Sequence, residues 1–206
     1  MTGNLFNVLG RRYLVWLALA LPAWPYIEEY FSPGRYYPEM LHNLGVFSIQ
    51  MLVLTLSVTP LSLILRNWQP AIPFALWLIR NRRYFGVASF AYALIHTLLY
   101  LKTISFDWYL AFLEALDWPF ATGWIALFVM AILALTSNNW SVKRLGSFWK
   151  PLQRLSYVTA ITGLAHWLLL DFFIDDVMTW IIVLLVAKSL HILLRLGLFQ
   201  LSRMRA

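Results

Sequence analysis

Two histidines, His96 and His166, each stand deep in an apolar segment that opens on basic residues. One segment runs Arg82-Arg83-Tyr-Phe-Gly-Val-Ala-Ser-Phe-Ala-Tyr-Ala-Leu-Ile-His96, the other Gln153-Arg154-Leu-Ser-Tyr-Val-Thr-Ala-Ile-Thr-Gly-Leu-Ala-His166. Arg83 precedes His96 by 13 residues and Arg154 precedes His166 by 12, so on helices both imidazoles rise about 18–20 Å above their basic anchors. Two imidazoles level in a helix bundle supply what the iron of a b-type haem needs on its two axial positions. A single buried histidine reads equally well as a hydrogen-bonded packing residue. A level pair on parallel helices favours the ligand reading, because an unpaired polar group in lipid is costly.

The neighbours of each histidine fit that chemistry. Ser89, Tyr92, Ala93 and Tyr100 share the helical face of His96, and Thr159, Thr162 and Gly163 share that of His166. Small residues leave room for a flat macrocycle. The hydroxyl of Thr162, or a carbonyl one turn earlier, is the expected acceptor for the second ring nitrogen. His42 falls at the outer interface, as a capping or surface residue or as a partner for a haem propionate. His191, four residues before Arg195, lies near the inner surface and out of level with the pair, where it suits a structural role or a quinone contact. Arg82 and Arg83 read as topology anchors, or as a site for a flavin phosphate or a quinone head group at the electron entry.

The elements that must position these residues are membrane helices. Of 206 residues, 61% are hydrophobic and 12% charged, with a mean hydropathy of +0.69, far from a soluble domain. Six runs are apolar enough to cross roughly 30 Å of hydrocarbon: about 13–30, 44–65, 84–102, 121–137, 154–171 and 177–196. The expected fold is all-α, an integral membrane six-helix bundle forming one domain over residues 1–206. Its loops are too short for a soluble Rossmann-type or flavin-binding module of about 100 residues.

Basic residues set the orientation. With the N-terminus inside, 14 of the 16 Lys and Arg lie at the inner side, Arg35 and Lys102 being the exceptions, so both termini are expected in the cytoplasm. All nine acidic residues (Glu28, Glu29, Glu39, Asp107, Glu114, Asp117, Asp171, Asp175, Asp176) then face outward. The net charge of +7 therefore describes cytoplasmic anchors, with no call for a nucleic-acid partner. Gly10-Arg11-Arg12-Tyr13 before an apolar run resembles a cleavable signal, yet the run continues through Trp24, Pro25, Tyr26 and Ile27, which suits an uncleaved first helix. Without cysteine, the chain offers no thiolate for a disulfide, an iron–sulfur cluster or a haem.

Proline punctuates the pattern. Pro60 is expected to end the second span, and Pro70 and Pro73 to break the Trp68–Leu78 connection, leaving a short interfacial helix. The outer loop Ile104–Thr122, with Trp108, Tyr109 and Trp118, suits an amphipathic surface segment, whereas the inner loop Thr136–Pro151 is polar. The 11 Trp and 10 Tyr are mostly interfacial anchors.

Taken together, His42-Asn-Leu-Gly, Leu54-Thr-Leu-Ser-Val-Thr-Pro60-Leu, the Arg82–His96 run, Leu133-Ala-Leu-Thr-Ser137, Leu145-Gly, Trp149-Lys-Pro-Leu-Gln-Arg-Leu-Ser-Tyr157 and His166-Trp resemble the ferric reductase-like transmembrane family, and within it the MsrQ/YedZ branch of haem-binding subunits of a periplasmic protein-methionine-sulfoxide reductase system. The resemblance covers about residues 38–172. It implies electron transfer in the bacterial inner membrane, from the quinone pool or a cytosolic flavin reductase, with quinone or FMN at the inner side, through haem b to a periplasmic molybdopterin methionine-sulfoxide reductase. In that family the fifth span carries two histidines roughly 13 residues, about 20 Å, apart. Here the inner positions hold Gln153 and Arg82 or Arg83, so the resemblance implies one outer haem held by His96 and His166. Two rivals stand beside this reading: a stand-alone ferric or quinone-linked reductase, and a cofactor-free membrane scaffold or small transporter.

Overall fold

The computed structural model describes residues 12–26, 38–170 and 174–204. Arg11, the expected first span from Ile27 onward with Glu28 and Glu29, and also Arg35, Asp171 and Arg205, lie outside the described residues.

The described residues are helical throughout. In chain order they form α1 (Arg12–Ala20), α2 (Pro38–Leu65), α3 (Ile72–Thr103), α4 (Trp108–Glu114), α5 (Trp118–Leu135), α6 (Asn139–Leu145), α7 (Trp149–Gln153), α8 (Ser156–Leu170) and α9 (Ile174–Met204), with short 3₁₀ turns between some of them. Among the described residues four segments are long and apolar enough to cross a membrane: Pro38–Leu65, Gln69–Thr103, Trp118–Leu135 and Asp175–Leu194; Ser156–Leu170 is apolar but shorter. The protein is an all-α, multi-pass membrane bundle.

Three proline expectations change. Pro60 sits inside α2, which runs on to Leu65. A proline there forfeits one backbone hydrogen bond, whereas breaking the helix in lipid would strand several. Pro70 and Pro73 each fall at the first or second position of a helical segment, where the missing N–H has no partner to lose. The result is one helix, α3, of 32 residues, about 48 Å long. It begins 12 residues before the expected third span, so the Arg80–Arg83 cluster lies within it.

α2 is the hub, packed along α3 and also against α8 and α9, while α5 pairs with α8 and touches α3, and α1 lies outside against α3. The α2–α3 seam is close because two buried serines face each other. Ser48 Oγ donates to Ser89 O at 2.9 Å and Ser89 Oγ donates to Ser48 O at 2.7 Å, satisfying both hydroxyls without water. Tyr92 spends its hydroxyl on Leu19 O at 2.7 Å, pinning α1. Leu56, Leu52 and Ala160 fill the α2–α8 contact. Apolar side chains cover the outside: Phe128, Leu135 and Ile161 are each about 70% exposed. In water that surface would be an aggregation liability, but against lipid it is the solvated face.

Aromatic residues ring both ends. Trp108, Tyr109 and Trp118 are exposed at the end that carries Asp107 and Asp117, and Trp68, Trp140 and Phe148 at the end that carries Arg66 and Arg144, as interfacial anchors do.

Candidate functional site

α2, α3, α5 and α8 enclose a cavity of about 310 Å³ near the acidic end, lined by His96, His166, His42, Gly45, Gly123, Ile49, Leu127 and Trp167 among others. His96 and His166 face each other across it. Their ring centroids lie 6.1 Å apart and their planes stand at 89°. The two histidines are level, and α3 and α8 run the same way, since Arg82 and Arg154 line a second cavity at the opposite, basic end.

Each ring is held the same way. His96 Nδ1 lies 2.8 Å from Leu41 O, and His166 Nδ1 lies 2.7 Å from Pro119 O. A carbonyl only accepts, so each Nδ1 carries the proton and donates, which leaves the lone pair on Nε2. Thr162 does not take this part. Its hydroxyl donates to Val158 O at 2.9 Å and it is not among the residues lining the cavity, whereas Gly163 is. The expected acceptor on the histidine's own helix is replaced by a carbonyl in the first turn of a neighbouring one, Leu41 O on α2 and Pro119 O on α5, each taking the imidazole N–H as an additional donor, since a carbonyl oxygen has two lone pairs.

A glycine follows each acceptor by four residues. A Cβ on Gly45 would lie 3.2 Å from His96 Nδ1, and one on Gly123 would lie 2.7 Å from both Nδ1 and Cε1 of His166. The two imidazoles thus lie against bare backbone, one on α2 and one on α5. Sequence reasoning missed both glycines and both carbonyls. The common spacing, Leu41 to Gly45 and Pro119 to Gly123, was the available signal.

Around the pair, His42 is exposed in the first turns of α2, with its ring 6.1 Å from that of Trp167. Tyr100, one turn beyond His96, donates to Glu114 Oε2 at 2.5 Å and stacks obliquely on Phe120. This ties α4 to α3 beside the acidic end of the cavity, which Tyr100 and Phe120 line. Among the described residues no cluster of three or more His, Cys, Asp or Glu forms a metal site of another kind.

A second cavity, of about 510 Å³, lies at the basic end. Arg82, Arg83, Gln153 and His191 all line it, with Lys150, Arg154, Lys188 and Tyr157, so the sequence candidates divide between two chambers. Among the described residues no Asp or Glu lines it. Its cations rest on neutral groups. Arg82 donates through Nε to Thr55 O at 2.9 Å and through Nη1 to Thr59 Oγ1 at 3.2 Å. Arg83 donates to Asn139 Oδ1 at 2.8 Å and lies over Trp149, and Lys188 Nζ stands 3.7 Å above the Tyr157 ring. Gln153 Nε2 reaches Thr136 Oγ1 at 3.1 Å. A chamber with several positive charges and no carboxylate suits an anionic or electron-rich guest.

The chain matches the model of the ferric reductase like transmembrane component over residues 44–164. Three relatives carry the name protein-methionine-sulfoxide reductase heme-binding subunit MsrQ. That of Rhizobium meliloti is 36% identical over 139 residues, 65% of this chain and 59% of the relative. That of Brucella anthropi is 30% identical over 189 residues, 87% and 78%, and that of Caulobacter vibrioides 34% identical over 163 residues, 76% and 74%. The chain thus spans less than two thirds of the first and about three quarters of the other two. No solved structure matches it. The matched stretch includes His96 and ends two residues before His166, and with the bundle around it, it makes this chain a multi-pass membrane protein, as befits the bacterial inner membrane, that belongs to the ferric reductase-like transmembrane family.

Proposed function

We propose that the chain is a b-type cytochrome subunit that carries electrons across the bacterial inner membrane, with His96 and His166 as axial ligands of a single haem b. The ring separation is the observation that carries this reading. Two imidazole–metal bonds of about 2 Å and two ring half-widths of roughly 1.1 Å give coaxial centroids about 6.3 Å apart, and these stand 6.1 Å apart. Such an axis sets the separation and leaves the angle between the planes open, so perpendicular planes suit it equally. The cradle agrees: Gly45 and Gly123 leave the rings room, and the Leu41 and Pro119 carbonyls hold each Nδ1–H so that Nε2 faces inward as a ligand.

Bound there, haem supplies one-electron transfer through its ferric/ferrous couple. The chain's own residues do the rest. The carbonyls fix the ligand tautomer, apolar neighbours such as Ile49 and Leu127 exclude water, and His42 at the rim is suited to a propionate. In the basic chamber Arg82 and Arg83, with His191 nearby, receive the donor, a quinol from the quinone pool or a flavin-linked carrier such as FMN served by a cytosolic flavin reductase. Gln153, its amide engaged with Thr136, stands where the family pattern has a second histidine, which makes the haem count one.

The basic end is then cytoplasmic, six helices cross the membrane as one domain over residues 1–206, and both termini lie inside. The acidic end, with Glu39, Asp107, Glu114 and Asp117, faces a periplasmic acceptor such as a molybdopterin methionine-sulfoxide reductase, the system named for the relatives, through a basic patch on that partner.

Purification with haem tests the reading. The expected result is a reducible Soret band of a six-coordinate low-spin haem, at about one haem per chain, abolished or converted in His96→Ala and in His166→Ala. An unchanged low-spin band in His166→Ala would overturn the ligand assignment, and two haems per chain would overturn the count.

A further inference from the structure

Among the described residues the two chambers have one lining residue in common, Met130. It is buried, 6% exposed, on α5. Gly123, against His166, lies seven residues toward the acidic end, and Thr136, which receives Gln153, lies six toward the basic end. Met130 is therefore midway, about 10 Å along the helix from each level. Around it the helices are held together by side chains: the Ser48 and Ser89 hydroxyls lock α2 to α3, and Ala160 packs with Leu52 and Leu56 of α2. A thioether side chain, apolar, flexible and polarizable, fills what remains between a chamber ringed with cations and one lined mainly by apolar groups.

We propose that Met130 is the partition between the chambers and the positioning residue across which a donor in the basic chamber passes its electron toward the histidine pair. This rests on the haem reading above. One electron leaves the quinol or flavin-class donor, which is oxidised by its loss. It reaches the iron held by His96 and His166, which is reduced, and the donor's proton stays in the basic chamber. No bond to Met130 forms or breaks. Its atoms keep the gap filled, since tunnelling through packed matter outruns tunnelling through a void, and they keep the water and charge of the basic chamber from the histidines.

The chain has no cysteine, so Met130→Cys introduces a single thiol, and methanethiosulfonate reagents probe its access in oriented vesicles. In the haem-free protein the M130C thiol is expected to react from both membrane faces. From the basic face an anionic reagent should outpace a cationic one by about fivefold, because the chamber concentrates anions. Reaction from one face alone, or from neither, overturns the shared wall whatever the fate of the haem reading. In the haem-loaded protein, reduction by dithionite added at the basic face is followed at the Soret band. Met130→Leu, which keeps the wall filled, is expected to stay within about twofold of wild type, and Met130→Ala to slow at least fivefold, with the low-spin spectrum and reduction from the acidic face unchanged. An unslowed Met130→Ala overturns the electronic role. A wild type without a Soret band overturns the haem reading and, with it, the electronic role, while the labelling still decides the partition.

Discussion

Gly123 lies so close to the imidazole of His166 that a Cβ there would stand 2.7 Å from two of its ring atoms. The ring has nowhere to retreat, because its Nδ1 is fixed to Pro119 O in the same stretch of α5. Gly123→Ala is therefore expected to push the imidazole off its axis and lower haem affinity at least about tenfold, near 1.4 kcal/mol, although alanine favours the helix itself. Gly45→Ala, with its 3.2 Å contact to His96, should act in the same direction more weakly. Gly86→Ala, whose Cβ would meet Thr55 at an ordinary 3.5 Å, should leave loading unchanged. Haem titration of the three variants checks the order, and equal affinity in Gly123→Ala and Gly86→Ala would remove the cradle from the argument.

His191 and His42 separate the ligand pair from the other histidines. His191 lines the basic chamber and His42 the rim of the histidine chamber. Both His191→Ala and His42→Ala are expected to keep the six-coordinate low-spin spectrum, with His42→Ala shifting the midpoint potential if it meets a propionate. A spectrum converted by His191→Ala would mean that iron binds at the basic end.

Arg82 is tied to α2 by two hydrogen bonds, to Thr55 O and Thr59 Oγ1. Arg82→Ala should cost about 1–3 kcal/mol of stability, as hydrogen bonds from a charged donor do. It should also slow reduction of the haem by a quinol or reduced flavin about tenfold or more. Lysine carries the charge without the fork, so Arg82→Lys should recover little of the rate. Stopped-flow reduction with each donor measures this. Unaltered rates in Arg82→Ala would place donor binding elsewhere.

The 2.5 Å hydrogen bond from Tyr100 to Glu114 holds α4 to α3 one turn beyond His96. The turn leading into α4 has Ser105 and Phe106 at φ of 54° and 57°, a left-handed conformation costly for residues with a side chain, and Asp107 caps the helix through Tyr109 N and Leu110 N. Tyr100→Phe and Glu114→Gln are expected to loosen this strap by about 1–2 kcal/mol, seen as faster amide exchange across residues 108–114 with haem still bound. Exchange as slow as in wild type would show that the cap alone holds the segment.

The all-α, multi-pass membrane bundle was legible in the sequence because lipid imposes a one-dimensional rule: apolar length suffices to find the helices. The level pairing of His96 and His166 followed from counting along two helices with a common rise. The proline readings of the second and third spans failed, because proline was judged as a breaker without regard to its position in the turn or to the cost of an open backbone in lipid. Pro70 and Pro73 sit where a helix begins, and Pro60 is carried through.

By itself the sequence determined which residues can bear chemistry: two imidazoles at one depth, a cationic cluster about one membrane leaflet away, and no thiolate. Those are properties of residue type and spacing. Only the tertiary structure decided what each imidazole rests on, since Leu41, Gly45, Pro119 and Gly123 reach the histidines from helices distant in sequence. It also decided that the candidates fall into two chambers meeting at Met130, because contact between helices depends on how their faces pack, and no count along a single helix contains that information.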